Sequence, residues 1–254
     1  MPKNTVIYTK KDHIAYMTLN RPEANNAMTQ QLAQELEEVC HRVNQDDDVY
    51  VAVVTGSGDK AFCCGSESER SIQEGTVVIG HSPVAAVAGI DRPVIAAING
   101  DAMGQGVEVA LSCDIRITSN TARFGFPQVA TGLIPMDGGT QRLPRIVGKG
   151  KALELILAAE TISAEEALEI GLVSKVVAWE QLAVEVEALA RTLAAKGPIA
   201  LRYIKEAVNK GVDLTLEQGL RLEADLYFIL HTTSDRTEGV QAFLQKRPPH
   251  FEAR

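Results

Sequence analysis

The chain has 254 residues, 45% of them hydrophobic and 23% charged. That balance excludes disordered, collagen-like and disulfide-stapled classes and leaves enough length for a sizeable core. Twenty-five basic residues against thirty-three acidic ones give a formal net charge of −8. This argues against a nucleic-acid partner, whose binding depends on neutralising phosphates with Lys and Arg, but leaves room for a local basic patch facing a small phosphorylated ligand.

The first two thirds alternate strands with helices. Strands are predicted at Thr5–Thr9, Ile14–Leu19, Val49–Thr55, Val94–Ile98 and Ile115–Thr118, with a later one at Val173–Val177. The runs VAVV and VIAAI are apolar throughout, as strands covered on both faces must be. The clearest helix is Thr29–Gln45, with Leu32, Leu36, Val39 and Val43 on one face and Thr29 as its N-cap. Beyond residue 150 the pattern turns helical: Lys151–Ala159, Ser163–Ile170, Glu180–Ala195, Ile199–Asn209, Leu214–His231 and Ser234–Gln245. Ser163 with Glu166 forms a capping box, and Gly171 is a C′ stop. The fold class is therefore α/β with much parallel pairing.

Cys40, Cys63, Cys64 and Cys113 form no CxxC pair and no zinc spacing. Four reduced thiols, no metal and a cytoplasmic setting are expected. Neither a signal peptide nor a bilayer-spanning run is recognisable, so no membrane partner is expected either. Cys63 and Cys64 are expected to pack at a strand end, and His81 to be an ordinary surface histidine.

The most informative stretch is RPVIAAINGDAMGQGVE, residues 92–108. A buried strand runs into Asn99-Gly100, and Gly104 and Gly106 flank the start of a short helix carrying Glu108. Such a turn exposes backbone N–H groups at a helix start, suited to an oxygen that gains negative charge, with a carboxylate one turn away for proton transfer. The partial Gly-x-Gly pattern lacks the context of a dinucleotide site. Glu108 read by itself is also what a helix dipole favours in a first turn. A second turn, KAFCCGSE at 60–67, follows the Val49–Thr55 strand and supplies another exposed N–H at Ser66. Two such donors make an oxyanion hole.

With these residues in place the chain resembles the crotonase (enoyl-CoA hydratase/isomerase) superfamily over nearly its whole length. The resemblance runs through LNRPEANNAM (19–28), CDIRI (113–117), ARFGFPQVATGLIPMDGGTQRLPRIVG (122–148), the GLV run ending at 173 and EGVQAFLQKRPPHF (238–251). It implies stacked ββα units as a core over residues 1–195. A helical region at 196–254 would serve oligomerisation and cover the active site, in a homotrimer or homohexamer. It further implies acyl-CoA substrates of fatty acid metabolism, with CoA as part of the substrate and no other cofactor. The thioester oxygen is then held by the N–H groups of Ser66 and Gln105. CoA runs along Ala24, Asn26 and Ala27, then Cys64, Ser66, Glu67, Ser68 and Arg70, with Gly104 nearby and Lys60 and Arg70 as phosphate contacts. Phe228, Phe243 and Phe251 read as core or interface aromatics.

Hydratases of this family use two glutamates. One matches Glu108; the other should follow the Phe124-Gly125-Phe126-Pro127 element, where this chain has Gln128. A glutamine amide orients water but exchanges no proton near neutral pH. Three chemistries fit. Glu108 alone hydrates a 2-enoyl-CoA, with Gln128 positioning the water; or Glu108 shuttles a proton in double-bond isomerisation; or Asp137 supplies the missing carboxylate, against a plain reading as a turn or helix-cap aspartate. Hydration by a lyase leads. Isomerisation, C–C hydrolysis, decarboxylation and a catalytically degenerate CoA-binding subunit are the alternatives. Gln105 stands where the family commonly has glycine; a positive φ there would strain it.

Overall fold

The computed structural model describes residues 4–66 and 82–254. Six strands form the first sheet: β1 (Val6–Lys11), β2 (Ile14–Leu19), β3 (Val51–Gly56), β5 (Val94–Ile98), β7 (Ile115–Ser119) and β10 (Lys175–Val177), in the order β1-β2-β3-β5-β7-β10. Only the β1–β2 hairpin is antiparallel; the other four pairings are parallel. All six were legible in the sequence. Two begin two residues later than expected, because the preceding residues spend their N–H groups elsewhere: Val49 closes a turn on the Asp46 carbonyl, and Val173 donates to the Ala167 carbonyl.

The inner strands β3 and β5 are buried on both faces, which accounts for their unbroken apolar runs. Successive side chains alternate. Ala52, Val54, Ala96 and Ile98 enter the larger core, while Val51, Val53, Ile95 and Ala97 face a second core with Leu182, Val186 and Ala190. Those last three lie on helix α7 (Trp179–Ala194). Against the opposite face packs a second sheet that the sequence reading missed. It comprises β4 (Ala61–Cys64), β6 (Asp101–Met103), β8 (Arg123–Gly125) and β9 (Thr161–Ser163), with β4-β6-β8 parallel and β9 antiparallel. Its strands are three or four residues long, too short for any period to show.

Helix α1 (Gln30–Gln45) starts where expected, with Thr29 Oγ1 accepting from Leu32 N at 3.1 Å, and buries Leu32, Leu36 and Val43. Between the sheets and the C-terminal helices come α2 (Pro83–Ala88), α3 (Gln105–Ser112), α4 (Gly139–Val147), α5 (Lys149–Ala158) and α6 (Ala164–Glu169). Ser163 and Glu166 make the expected capping box on α6. The chain ends in α8 (Pro198–Gly211), α9 (Leu216–Leu230) and α10 (Ser234–Gln245). Lys205 of α8 ties this helical region to the first sheet, bonding Asp114 at 2.8 Å and the Arg92 carbonyl at 2.9 Å.

Candidate active site

Three of the predicted site residues leave one edge of the second sheet. Cys64 pairs with Met103, and Met103 with Gly125, on adjacent parallel strands. Ser66 and Gln105 lie two residues beyond their paired strand positions, and Gln128 lies three beyond Gly125. The chain ends of β4, β6 and β8 are stitched together there: Gly65 N donates to Met103 O at 2.9 Å, and Gly104 N to Gly125 O at 2.9 Å. This is the carboxyl edge of parallel strands, where helix starts and their N–H groups gather.

Helix α3 is buried along its whole length. Its close seat has one cause: a Cβ on Gly106 would lie 1.9 Å from the Cys63 carbonyl oxygen, so only glycine lets α3 meet β4. The positive φ that the turn needs (53°) falls on Gly104, not on Gln105, and the strain considered for Gln105 does not arise. As first residue of the helix, Gln105 has no intrahelical acceptor for its N–H.

Glu108, three residues on and on the same helical face, is 1% exposed. Its Oε1 accepts two backbone hydrogen bonds, from Asp137 N at 2.8 Å and Gly139 N at 2.7 Å. The sequence reading missed these two donors. Their trace in the sequence is the Gly138-Gly139 pair, which opens α4 and leaves its first N–H groups turned toward α3.

Asp137 lies in the turn before α4, as its plainer reading had it, but does not cap that helix. The cap of α4 is Gly138, with no side-chain bond. Asp137 Oδ1 accepts from Ser82 Oγ at 2.9 Å, and its Oδ2 accepts from Gln105 Nε2. The glutamine side chain thus reaches the 137–139 turn. Its Oε1 is buried and meets no partner among the described residues, which costs roughly 1–3 kcal/mol when no donor is supplied. Gln128 is 2% exposed, in the 3-10 turn Pro127–Thr131, and its backbone carbonyl accepts from both Thr131 Oγ1 at 2.9 Å and Leu133 N at 3.0 Å.

The residues assigned to CoA lie beside this edge. Cys64 N donates to Asn25 O at 3.1 Å, Met28 N to Gly65 O at 3.0 Å, and Met28 pairs with Ser66 in an isolated parallel bridge. The Ala24–Ala27 turn and the Cys64–Ser66 turn are thereby neighbours, with Ala24 and Ala27 half-buried and Lys60 exposed. Asn26 is fully buried, and its amide is spent on Arg21 N, Ser57 O and Ala61 O. It shapes this turn and has no side-chain donor left for a ligand. Glu67, Ser68, Arg70 and His81 lie outside the described residues. Burial pushes the Cys64 thiol up to about 11, helped by the charge of Asp101, so it is a packing group and not a nucleophile. Among the described residues, no group of three or more His, Cys, Asp or Glu is placed to hold a metal ion, and no helix is long and apolar enough to cross a membrane.

A family model described as enoyl-CoA hydratase/isomerase matches residues 9–254. The chain belongs to that family. It is 39% identical to a crotonyl-CoA hydratase of Syntrophomonas wolfei, over 99% of both chains. It is 37% identical to a short-chain-enoyl-CoA hydratase of Clostridium acetobutylicum, over 97% of both. A solved enoyl-CoA hydratase from Bacillus anthracis superposes with a TM-score of 0.90 at 35% identity, covering 98% of this chain and 100% of that one. The two stacked sheets and the C-terminal helices are the crotonase fold, and the chain is an enzyme of the enoyl-CoA hydratase/isomerase family.

Proposed function

We propose that this enzyme adds water to a 2-enoyl-CoA, and removes it in reverse, with Glu108 as its single acid–base residue. The observation that carries the reading is the setting of Glu108. It is a buried carboxylate, one turn into a helix whose first N–H stands beside the second-sheet edge, with one oxygen fixed by two amides. The oxygen that takes two N–H donors is not the one that carries a proton, so proton exchange falls to Oε2. In this reading Ser66 and Gln105 amides stabilise the thioester enolate, and Gln128 orients the water. Glu108 draws a proton from the water as its oxygen bonds Cβ, then returns a proton to Cα. One carboxylate doing both delivers them to the same face of the double bond.

CoA is bound as part of the substrate, along the Ala24–Ala27 and Cys64–Ser66 turns, with Lys60 toward a phosphate; no further cofactor enters this chemistry. Residues 1–195 form the catalytic core. Residues 196–254 assemble the homotrimer or homohexamer and cover the site. The four free cysteines suit a reducing, cytoplasmic compartment.

Gln128 in place of a second acid supports one other reading, isomerisation, which needs a single base. Incubation of crotonyl-CoA and a 3-enoyl-CoA in heavy-oxygen water, followed by mass spectrometry, separates the two. Hydration predicts a product heavier by one labelled water. An unlabelled product with a shifted double bond overturns hydration in favour of isomerisation. Turnover of neither, with acyl-CoA still bound, overturns both in favour of a binding subunit.

A further inference from the structure

Asp137 is tied at every polar atom, each time to a different neighbour. Its N–H donates to Glu108 Oε1 at 2.8 Å and its carbonyl accepts from Arg142 Nη1 at 3.0 Å. Its Oδ1 accepts from Ser82 Oγ at 2.9 Å, and its Oδ2 from Gln105 Nε2. Ser82 Oγ is itself the cap of α2, accepting from Ala85 N at 3.0 Å. The turn before α4 is thus held from α3, from α2 and from α4 itself, and the group it presents is the pair of amides on Glu108.

The orientation of Gln105 is the telling part. With Nε2 committed to Asp137, its Oε1 is left buried without a partner among the described residues. The bond gained in exchange is to a carboxylate, worth about 1.5–3 kcal/mol, which is enough to hold the side chain in this orientation. The same bond ties the turn to α3. We propose that Asp137, clamped by Gln105 and Ser82, is a positioning residue that sets the direction of the Glu108 carboxylate. This rests on Glu108 being the acid–base group and adds residues that nothing in the general two-turn pattern requires.

Gln105→Leu is the informative variant, because it removes the clamp and the orphaned oxygen together while keeping the backbone N–H. Two measurements on the intact protein test it. Hydrogen–deuterium exchange across residues 133–142 should rise at least about fivefold, with a melting temperature equal to or above wild type. For crotonyl-CoA hydration, kcat should fall by about 10- to 100-fold, as a misplacement of an ångström or less produces, with KM changed less than about threefold. Asp137→Ala should match it, and the double variant should lose no more than either single one. Ser82→Ala provides a milder form of the same defect.

Unchanged exchange in Gln105→Leu overturns the clamp whatever the activity. Raised exchange with wild-type kcat, or additive losses in the double variant, overturns the positioning role. Glu108→Gln with undiminished hydration would instead overturn the reading of Glu108 itself, and with it any role for the clamp in catalysis.

Discussion

At the scale of single residues, the proposed site is a set of backbone amides arranged around one carboxylate. Gly106 shows how tightly: Gly106→Ala must push a methyl group into the Cys63 carbonyl. Overpacking of this kind should cost about 3 kcal/mol and lower activity further, by tilting Gln105 and Glu108 away from the sheet edge. Thermal denaturation alongside turnover checks both. The thiols offer a second test. Burial drives Cys40 and Cys113 up to about 12, and Cys64 to about 11. Iodoacetamide at pH 8 should leave the buried Cys40 and Cys113 unmodified in the native enzyme, label the half-buried Cys64 slowly, and alkylate all three once it is unfolded; fast native labelling of Cys40 or Cys113 would contradict their burial. Glu108 and the Ser66 and Gln105 turns were legible in the sequence because glycines mark places where backbone must come close or turn left-handed. Asp137 was singled out as a carboxylate, but the contacts it makes with Gln105 and Ser82 were not legible, since those partners lie 32 and 55 positions away and no local pattern connects them.

At the scale of elements, long periodic segments announced themselves and short ones did not. The six strands of the first sheet and the six helices after residue 150 carry enough repeats, caps and stops to be read directly. Strands β4, β6, β8 and β9 exist because the chain is stacked, each pairing with a neighbour 22 to 40 residues away, and no three-residue run signals that. The joint between β1 and α1 yields a pH prediction. Burial works to raise the Glu35 carboxyl, but hydrogen bonds from Gln31, Val6 N and Thr5 outweigh it, so its pKa lies below the usual value. A depressed carboxylate contributes stability that is present above its unfolded pKa, about 4.3, and lost as pH falls through the folded one. Glu35→Gln should destabilise the protein by about 1–2 kcal/mol at pH 7. It should also flatten the loss of stability below about pH 4.3, as urea titrations across pH would show.

At the scale of the whole molecule, the C-terminal helices are amphipathic in a way one chain does not satisfy. Phe243 is 83% exposed and Leu216 79%, with Leu244, Val212 and Phe228 all near 70%. Soluble monomers seldom leave so much apolar surface on neighbouring helices. Phe228→Asp with Phe243→Asp should therefore shift sedimentation from an assembled species toward monomer; a wild-type chain that sediments as a monomer would contradict that assembly. The site proposed for this enzyme lies where β4, β6 and β8 end, and every role proposed for it converges on the carboxylate held there. The decisive measurement is label uptake from heavy-oxygen water into crotonyl-CoA, comparing wild type with Glu108→Gln at matched melting temperature. Wild type should give labelled 3-hydroxy product, and the variant a rate about 10²–10⁴-fold lower, the contribution expected of a positioned acid–base group. Labelled product formed at the wild-type rate without the Glu108 carboxylate would contradict that role.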